Sequence, residues 1–213
     1  MRTNADLPIL YSFRRCPYAM RARLAIASAR QSVELREISL KNKHGAFLKV
    51  SSSGTVPCLV TDQGTLDESL DIMIWALERN DPDGWLDMPD AGGDLIALFD
   101  GPFKDALDRT KYAVRFEGSD PLAQREIAHG VLAELEASMG DWIFGSASLV
   151  DFAILPFVRQ FANIDRAMFD AQPWPKVQAW LDRFMCSDAF VQIMDKHAFW
   201  DAEDAPIVFP KTV

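Results

Sequence analysis

Cys16 lies in the segment Arg14-Arg-Cys-Pro-Tyr-Ala-Met-Arg-Ala-Arg23, after an apolar run and at the start of a helical pattern. The first N–H groups of a helix have no internal acceptors, and the helix dipole favours negative charge at that end. Arg14 and Arg15 precede the thiol, and Arg21 and Arg23 follow it on the helix. Together these features are expected to stabilise a thiolate that is nucleophilic near neutral pH. A cysteine used only as a small apolar residue would sit inside an apolar run, which is the opposite context.

The frame Cys-Pro-Tyr-Ala has Ala19 where a dithiol motif needs a second cysteine. An internal disulfide is therefore impossible at this site, and the thiolate must exchange with an external thiol. Glutathione is the abundant candidate. Two further segments suit such a ligand. Thr55-Val-Pro57 precedes a strand; with a cis Val56–Pro57 bond, the Val56 backbone would turn its polar groups towards Cys16. Asp67-Glu-Ser69 opens another helix. A helix start with a hydroxyl can hold a carboxylate, and Glu68 can meet an ammonium group. Taken alone, the same residues also read as an ordinary helix cap.

The elements that must position these residues alternate in type. Pro8–Phe13 reads as a buried strand and 16–30 as a helix with Pro17 just inside its start. Val33–Ile38 alternates apolar and polar as a strand does, and 46–50 reads as a short helix. Residues 57–61 and 65–67 form an expected hairpin around Asp62-Gln-Gly64, followed by a helix over 68–79. The order is βαβαββα, an α/β domain over 1–80 with a mixed four-stranded sheet. Residues 81–84 read as a turn-rich linker. The remainder, 85–213, reads as an all-α helical bundle, with helices over 94–116 (kinked or split at Pro102), 121–139, 148–161, 175–185 and 189–196.

The composition is 49% hydrophobic and 25% charged, as expected of a soluble globular chain. No signal peptide or membrane span is expected from it. Three cysteines, Cys16, Cys58 and Cys186, suggest a reducing compartment and no disulfide framework. Cys58 is expected to be buried in a strand and inert, and Cys186 to be minor. Three histidines, none clustered with cysteine, make a metal site unexpected. Residues 1–80 carry 11 Lys and Arg against 8 Asp and Glu, a net of +3, and the rest carry −12. The acidic part argues against nucleic acid; the mildly basic part would suit a small anion.

With these motifs in order, the first 80 residues resemble the thioredoxin-like N-terminal domain of the glutathione transferase superfamily. Cys-Pro-Tyr-Ala, Leu40-Lys-Asn-Lys43, Thr55-Val-Pro57 and Glu68-Ser69 are similar to its cysteine-type, omega-like class. Ser148-Leu-Val-Asp151 resembles the start of a helix in its C-terminal domain. The resemblance implies a mixed disulfide of Cys16 with glutathione, held by Tyr18, Lys43, Val56, Pro57, Glu68 and Ser69. Lys43 would approach the glycine carboxylate. Ser148 and Asp151 would form an N-cap pair of structural importance. The loop Ser51-Ser-Ser-Gly54 departs from the Asn-Pro pair often found there.

The implied activity is a glutathione-dependent thiol transferase acting on mixed disulfides or dehydroascorbate-like oxidised molecules. The first alternative is conjugation to small hydrophobic electrophiles, for which Tyr11 or Ser12 could activate glutathione. The second is a non-catalytic binding module. Glutathione is then a co-substrate, with no metal, nucleic acid or membrane partner. A cytoplasmic homodimer is expected. Phe103, Leu107, Tyr112, Phe116 and Tyr18 are candidate walls of the acceptor pocket.

Overall fold

The computed structural model describes residues 7–211. In chain order the elements are β1 (Ile9–Ser12), α1 (Pro17–Ser28), β2 (Val33–Glu37), α2 (Gly45–Val50), β3 (Cys58–Thr61), β4 (Gly64–Leu66), α3 (Ser69–Leu77), α4 (Ala91–Leu98), α5 (Lys104–Lys111), α6 (Pro121–Ser138), α7 (Leu149–Ala162), α8 (Arg166–Asp170), α9 (Pro175–Met185), α10 (Asp188–Ile193) and β5 (Ile207–Phe209). β2 runs parallel to β1, while β3 is antiparallel to β1 and β4 antiparallel to β3. This is the expected thioredoxin-like mixed sheet, followed by helices.

The sheet has five strands rather than the expected four, in the order β4-β3-β1-β2-β5. β5 pairs antiparallel with β2, Val33 opposite Phe209 and Leu35 opposite Ile207. An uncovered β2 edge would expose a row of unpaired backbone groups, and β5 satisfies them. The chain accordingly divides into one unit of 1–84 with 187–213 and a second of 85–186. Helices continue through α10 to Ile193, and β5 then adds a strand within the stretch expected to be all-helical to 213. Ile207-Val-Phe209 is too short an apolar run to read as a strand without its partner.

Alternation along β1 decides what each sheet face meets. Ser12 points to α1, where Arg23 donates to it. α1 also packs against α3 and α10. Its Ala19, Met20, Ala22, Leu24, Ala25 and Ile26 are all buried, so apolar residues surround the helix rather than line one stripe. Tyr11 takes the opposite face, with Ile38, Phe47, Val56 and Cys58, and Cys16 and Trp200 pack against that cluster. Trp200 meets Tyr11 edge-on at 6.0 Å and donates its N–H to the Glu37 carbonyl. Residues downstream of α10 therefore cover part of the face on which Cys16 lies.

In the second unit, the expected helix over 94–116 is broken. A wide π turn over Phe99–Phe103 contains Pro102 and separates α4 from α5. Proline lacks the N–H that a continuous α-helix needs, and the wider turn absorbs that loss. Phe103 and Leu107 are fully buried, and Phe103 packs on Phe99 and Phe161. These two are core residues rather than pocket walls. Tyr112 and Phe116 are half-buried, under the guanidinium groups of Arg115 and Arg109.

α7 begins with the expected capping box. The Ser148 N–H donates to the Asp151 carboxylate at 3.0 Å. The same carboxylate accepts from the Ile143 N–H and the Trp180 indole at 3.1 and 3.0 Å. Asp151 is wholly buried, and burial pushes its carboxyl above the usual range against these donors. Among the described residues, no helix is long and apolar enough to cross a membrane. Among them, too, no group of three or more His, Cys, Asp or Glu is placed to hold a metal.

Candidate active site around Cys16

The sheet register gathers three segments at one end. Tyr11 of β1 stands opposite Cys58 of β3, so the chain leaving β1 lies beside the chain entering β3. Leu59 stands opposite Leu66, which brings Asp67 beside Cys58. Residues 13–16, 56–58 and 67–69 are thereby neighbours.

Cys16 caps α1 in extended conformation, with Pro17 at the first helical position. Pro17 has no N–H to satisfy and is pre-set for the helix. The Cys16 N–H donates to the Phe13 carbonyl at 3.0 Å, and its thiol is half-buried. The Sγ donates to the Val56 carbonyl at 3.5 Å, and the Val56–Pro57 bond is cis. The structure therefore brings Cys16, Val56 and Pro57 into one cluster, and Tyr18 is the second residue of α1.

Arg21 and Arg23, on the helix that follows the thiol, are only 1% and 2% exposed. Arg21 donates to the Ser69 hydroxyl at 3.4 Å, and its guanidinium lies 5.7 Å from the Tyr18 ring centre. Arg23 donates to Ser12 and, at 2.7 Å, to the Arg14 carbonyl. Burial pulls the Arg23 guanidinium down to about 10, opposed by Glu37 and Cys16, so it remains charged at neutral pH. It is a fixed positive charge behind the segment that carries the thiol. Glu37, itself pushed up by burial, accepts from the Arg14 N–H at 2.6 Å.

Ser12 is wholly buried and engaged with Arg23. Tyr11 is buried, with its hydroxyl accepting from Arg36 at 2.9 Å. Neither hydroxyl is presented to solvent beside Cys16. Glu68 caps α3 with an exposed side chain, and Ser69 is the first residue of that helix. Lys43 is exposed, and its Nζ lies 4.0 Å from the position a β-carbon on Gly54 would take, so it stands beside the loop that leads to Val56.

The residue missed in the sequence is Asp67. Its carboxylate accepts from the Ser51 hydroxyl at 2.8 Å, the Ser52 hydroxyl at 2.7 Å, the Ser52 N–H at 2.9 Å and the Ser53 N–H at 3.4 Å. The neighbouring Cys58 thiol also favours its ionised form. Burial works to raise the Asp67 carboxyl, but these donors outweigh it and hold it below the usual carboxylate value. The visible signal was the serine run at 51–53, whose hydroxyls need an acceptor. Burial, together with Asp67, pushes the Cys58 thiol up to about 12. Cys58 is wholly buried, as expected, and Cys186 is exposed at the end of α9.

Residues 10–84 match the family "Glutathione S-transferase, N-terminal domain", and residues 84–183 match "Glutathione S-transferase, C-terminal domain". The chain belongs to the glutathione S-transferase superfamily. Glutathione S-transferase L2, chloroplastic, of Arabidopsis thaliana is 30% identical over 166 residues, covering 73% of this chain. The match covers 54% of that relative, so the chain spans about half its length. Glutathione S-transferase L3 of the same plant is 27% identical over 200 residues, covering 86% of this chain and 80% of its own. A glutathione transferase from Pseudomonas putida, solved with one glutathione disulfide bound per subunit, superposes with a TM-score of 0.76. It is 18% identical and covers 89% of this chain and 91% of its own, a likeness of fold.

Proposed function

We propose that this superfamily member is a glutathione-dependent thiol transferase with Cys16 as its nucleophile. One observation carries the reading: the Cys16 thiol stands at the start of α1, half-buried, 3.5 Å from the Val56 carbonyl. Ala19 offers it no internal partner. In the first step the Cys16 thiolate attacks the glutathione sulfur of a mixed disulfide. The sulfur–sulfur bond of the substrate breaks, a Cys16–glutathione disulfide forms, and the other thiolate leaves and takes up a proton. In the second step the thiolate of free glutathione attacks the glutathione sulfur on Cys16. Oxidised glutathione leaves and the Cys16 thiolate returns. The net exchange turns one mixed disulfide and one free glutathione into the released thiol and oxidised glutathione, whose second glutathionyl group comes from the substrate.

In this reading the first N–H groups of α1 and the buried Arg23 charge favour the thiolate. The Val56 backbone would pair with the cysteinyl part of glutathione. Ser69 and the start of α3 would receive the γ-glutamyl carboxylate, and Glu68 its ammonium group. Lys43 would meet the glycine carboxylate. The helix start provides N–H donors and the two charged side chains are exposed, which suits a zwitterionic ligand.

Conjugation to an electrophile is the second reading, favoured by the transferase names of both plant relatives. Against it, the Tyr11 and Ser12 hydroxyls are already buried and bonded. The test is a paired assay on wild type and Cys16→Ala: reduction of glutathionylated 2-mercaptoethanol, and conjugation to a chlorinated nitroaromatic. The thiol transferase reading expects reduction to disappear with Cys16. Reduction that survives the substitution refutes it, and conjugation that survives supports the second reading.

A further inference from the structure

We propose that Asp67 is a positioning residue that fixes the spacing between two parts of the glutathione site, the Val56 turn and the start of α3. It rests on the glutathione reading above. Asp67 directly precedes Glu68 and Ser69, which open α3. Its carboxylate reaches across to the other segment and accepts from Ser51, Ser52 and Ser53. That segment runs on through Gly54 and Thr55 to Val56, whose carbonyl receives the Cys16 thiol. One side chain therefore couples the backbone that would read the cysteinyl unit to the helix that would read the γ-glutamyl unit.

Charge makes this coupling firm. Hydrogen bonds to an ionised carboxylate are about twice as strong as neutral ones. The same donors hold Asp67 below the usual carboxylate value, so it is ionised at working pH. The serines supply side-chain hydroxyls in a loop whose Gly54 has a φ of +61°, a conformation open to glycine. Bonding to Asp67 ties this loop to the start of α3. Asp67 itself would touch neither glutathione nor the reacting sulfurs.

The test uses the full chain and S-methylglutathione, a probe that cannot exchange disulfides. Its Kd is measured by calorimetry for wild type, Asp67→Asn, Asp67→Ala, the double variant Ser51→Ala/Ser52→Ala and the triple combination. Asp67→Ala is expected to raise Kd about tenfold, matching the loss of charge-assisted bonds. Asp67→Asn, which keeps one oxygen acceptor, falls between. The serine double variant also weakens binding, and adding Asp67→Ala to it weakens binding little further, because both disrupt one set of bonds. In the reductase assay KM for glutathione rises while kcat stays within about twofold. The proposal is overturned by a Kd for Asp67→Ala within twofold of wild type, or by independent, additive effects of the aspartate and serine substitutions. If Asp67→Ala does not fold, Asp67→Asn and the serine variant decide by the same criteria. Wild type that does not bind the probe overturns both this proposal and the glutathione reading. Reduction that survives Cys16→Ala, with the binding pattern intact, overturns only the thiol mechanism.

Discussion

At the scale of single residues, the three cysteines separate by environment rather than by type. Cys58 is wholly buried, with its thiol pushed up to about 12. Cys186 is exposed, and Cys16 is half-buried at a helix start. Brief treatment of the native protein with iodoacetamide at pH 8 should therefore label Cys16 and Cys186 and spare Cys58, as read by peptide mass spectrometry. Denaturation should release the third label. Labelling of Cys58 in native protein as fast as Cys186 would contradict this account. The place of Cys16 at a helix start was legible because Cys-Pro opens a helix after a strand. The contacts of Arg21, Arg23 and Asp67 were not, because each depends on partners distant in sequence. Nothing in the local pattern says that Arg23 turns inwards to Ser12 or that Asp67 meets Ser51.

At the scale of elements, the order βαβαββα was readable from hydrophobic periodicity and turn residues. β5 was not, because a three-residue run becomes a strand only against the β2 edge. Removing residues from 198 onwards should expose that edge and uncover Tyr11. The expected result is a lower unfolding temperature and concentration-dependent association, read by calorimetry and light scattering. A truncated chain as stable and monodisperse as the full one would show that β5 contributes nothing. In the second unit, the capping box at Ser148 and Asp151 was legible, but its reach to Ile143 and Trp180 was not. Asp151→Ala leaves several buried donors without an acceptor and should cost about 3 kcal/mol in denaturant unfolding. Asp151→Asn, which keeps one acceptor, should cost less. A loss below about 0.5 kcal/mol for the alanine variant would be within the range of an ordinary surface change and would contradict the assignment.

At the scale of the whole molecule, the expected charge contrast changes once the units are known. Residues 1–84 and 187–213 together hold 13 basic and 15 acidic side chains, a net of −2. Residues 85–186 hold 9 and 16, a net of −7. The mildly basic first domain suggested by the sequence was a result of where the boundary was drawn. In the glutathione reading, attraction of its carboxylates would come from local groups such as Arg21, Arg23 and Lys43 rather than from net charge. Global stability should also respond to pH through histidine. Burial holds His129 below 6.5, against Glu126, and holds His197 below 6.5, against Asp195. The unfolded chain takes up these protons first as pH falls, so this part of the stability is present above 6.5 and lost as pH drops through it. His129→Gln/His197→Gln should flatten that loss relative to wild type in unfolding measured from pH 7.5 to 5.5. An unchanged slope would contradict it.

The central claim, a Cys16 thiolate that cycles through a glutathione disulfide, is tested most directly by trapping the intermediate. Wild type is mixed with a slight excess of glutathionylated 2-mercaptoethanol in the absence of free glutathione, then analysed by intact-mass and peptide mass spectrometry. One added glutathione on Cys16, with release of one equivalent of 2-mercaptoethanol, is the predicted result. Added glutathione should then remove it. Cys16 left unmodified while reduction proceeds, or the adduct found on Cys186 alone, would contradict the account.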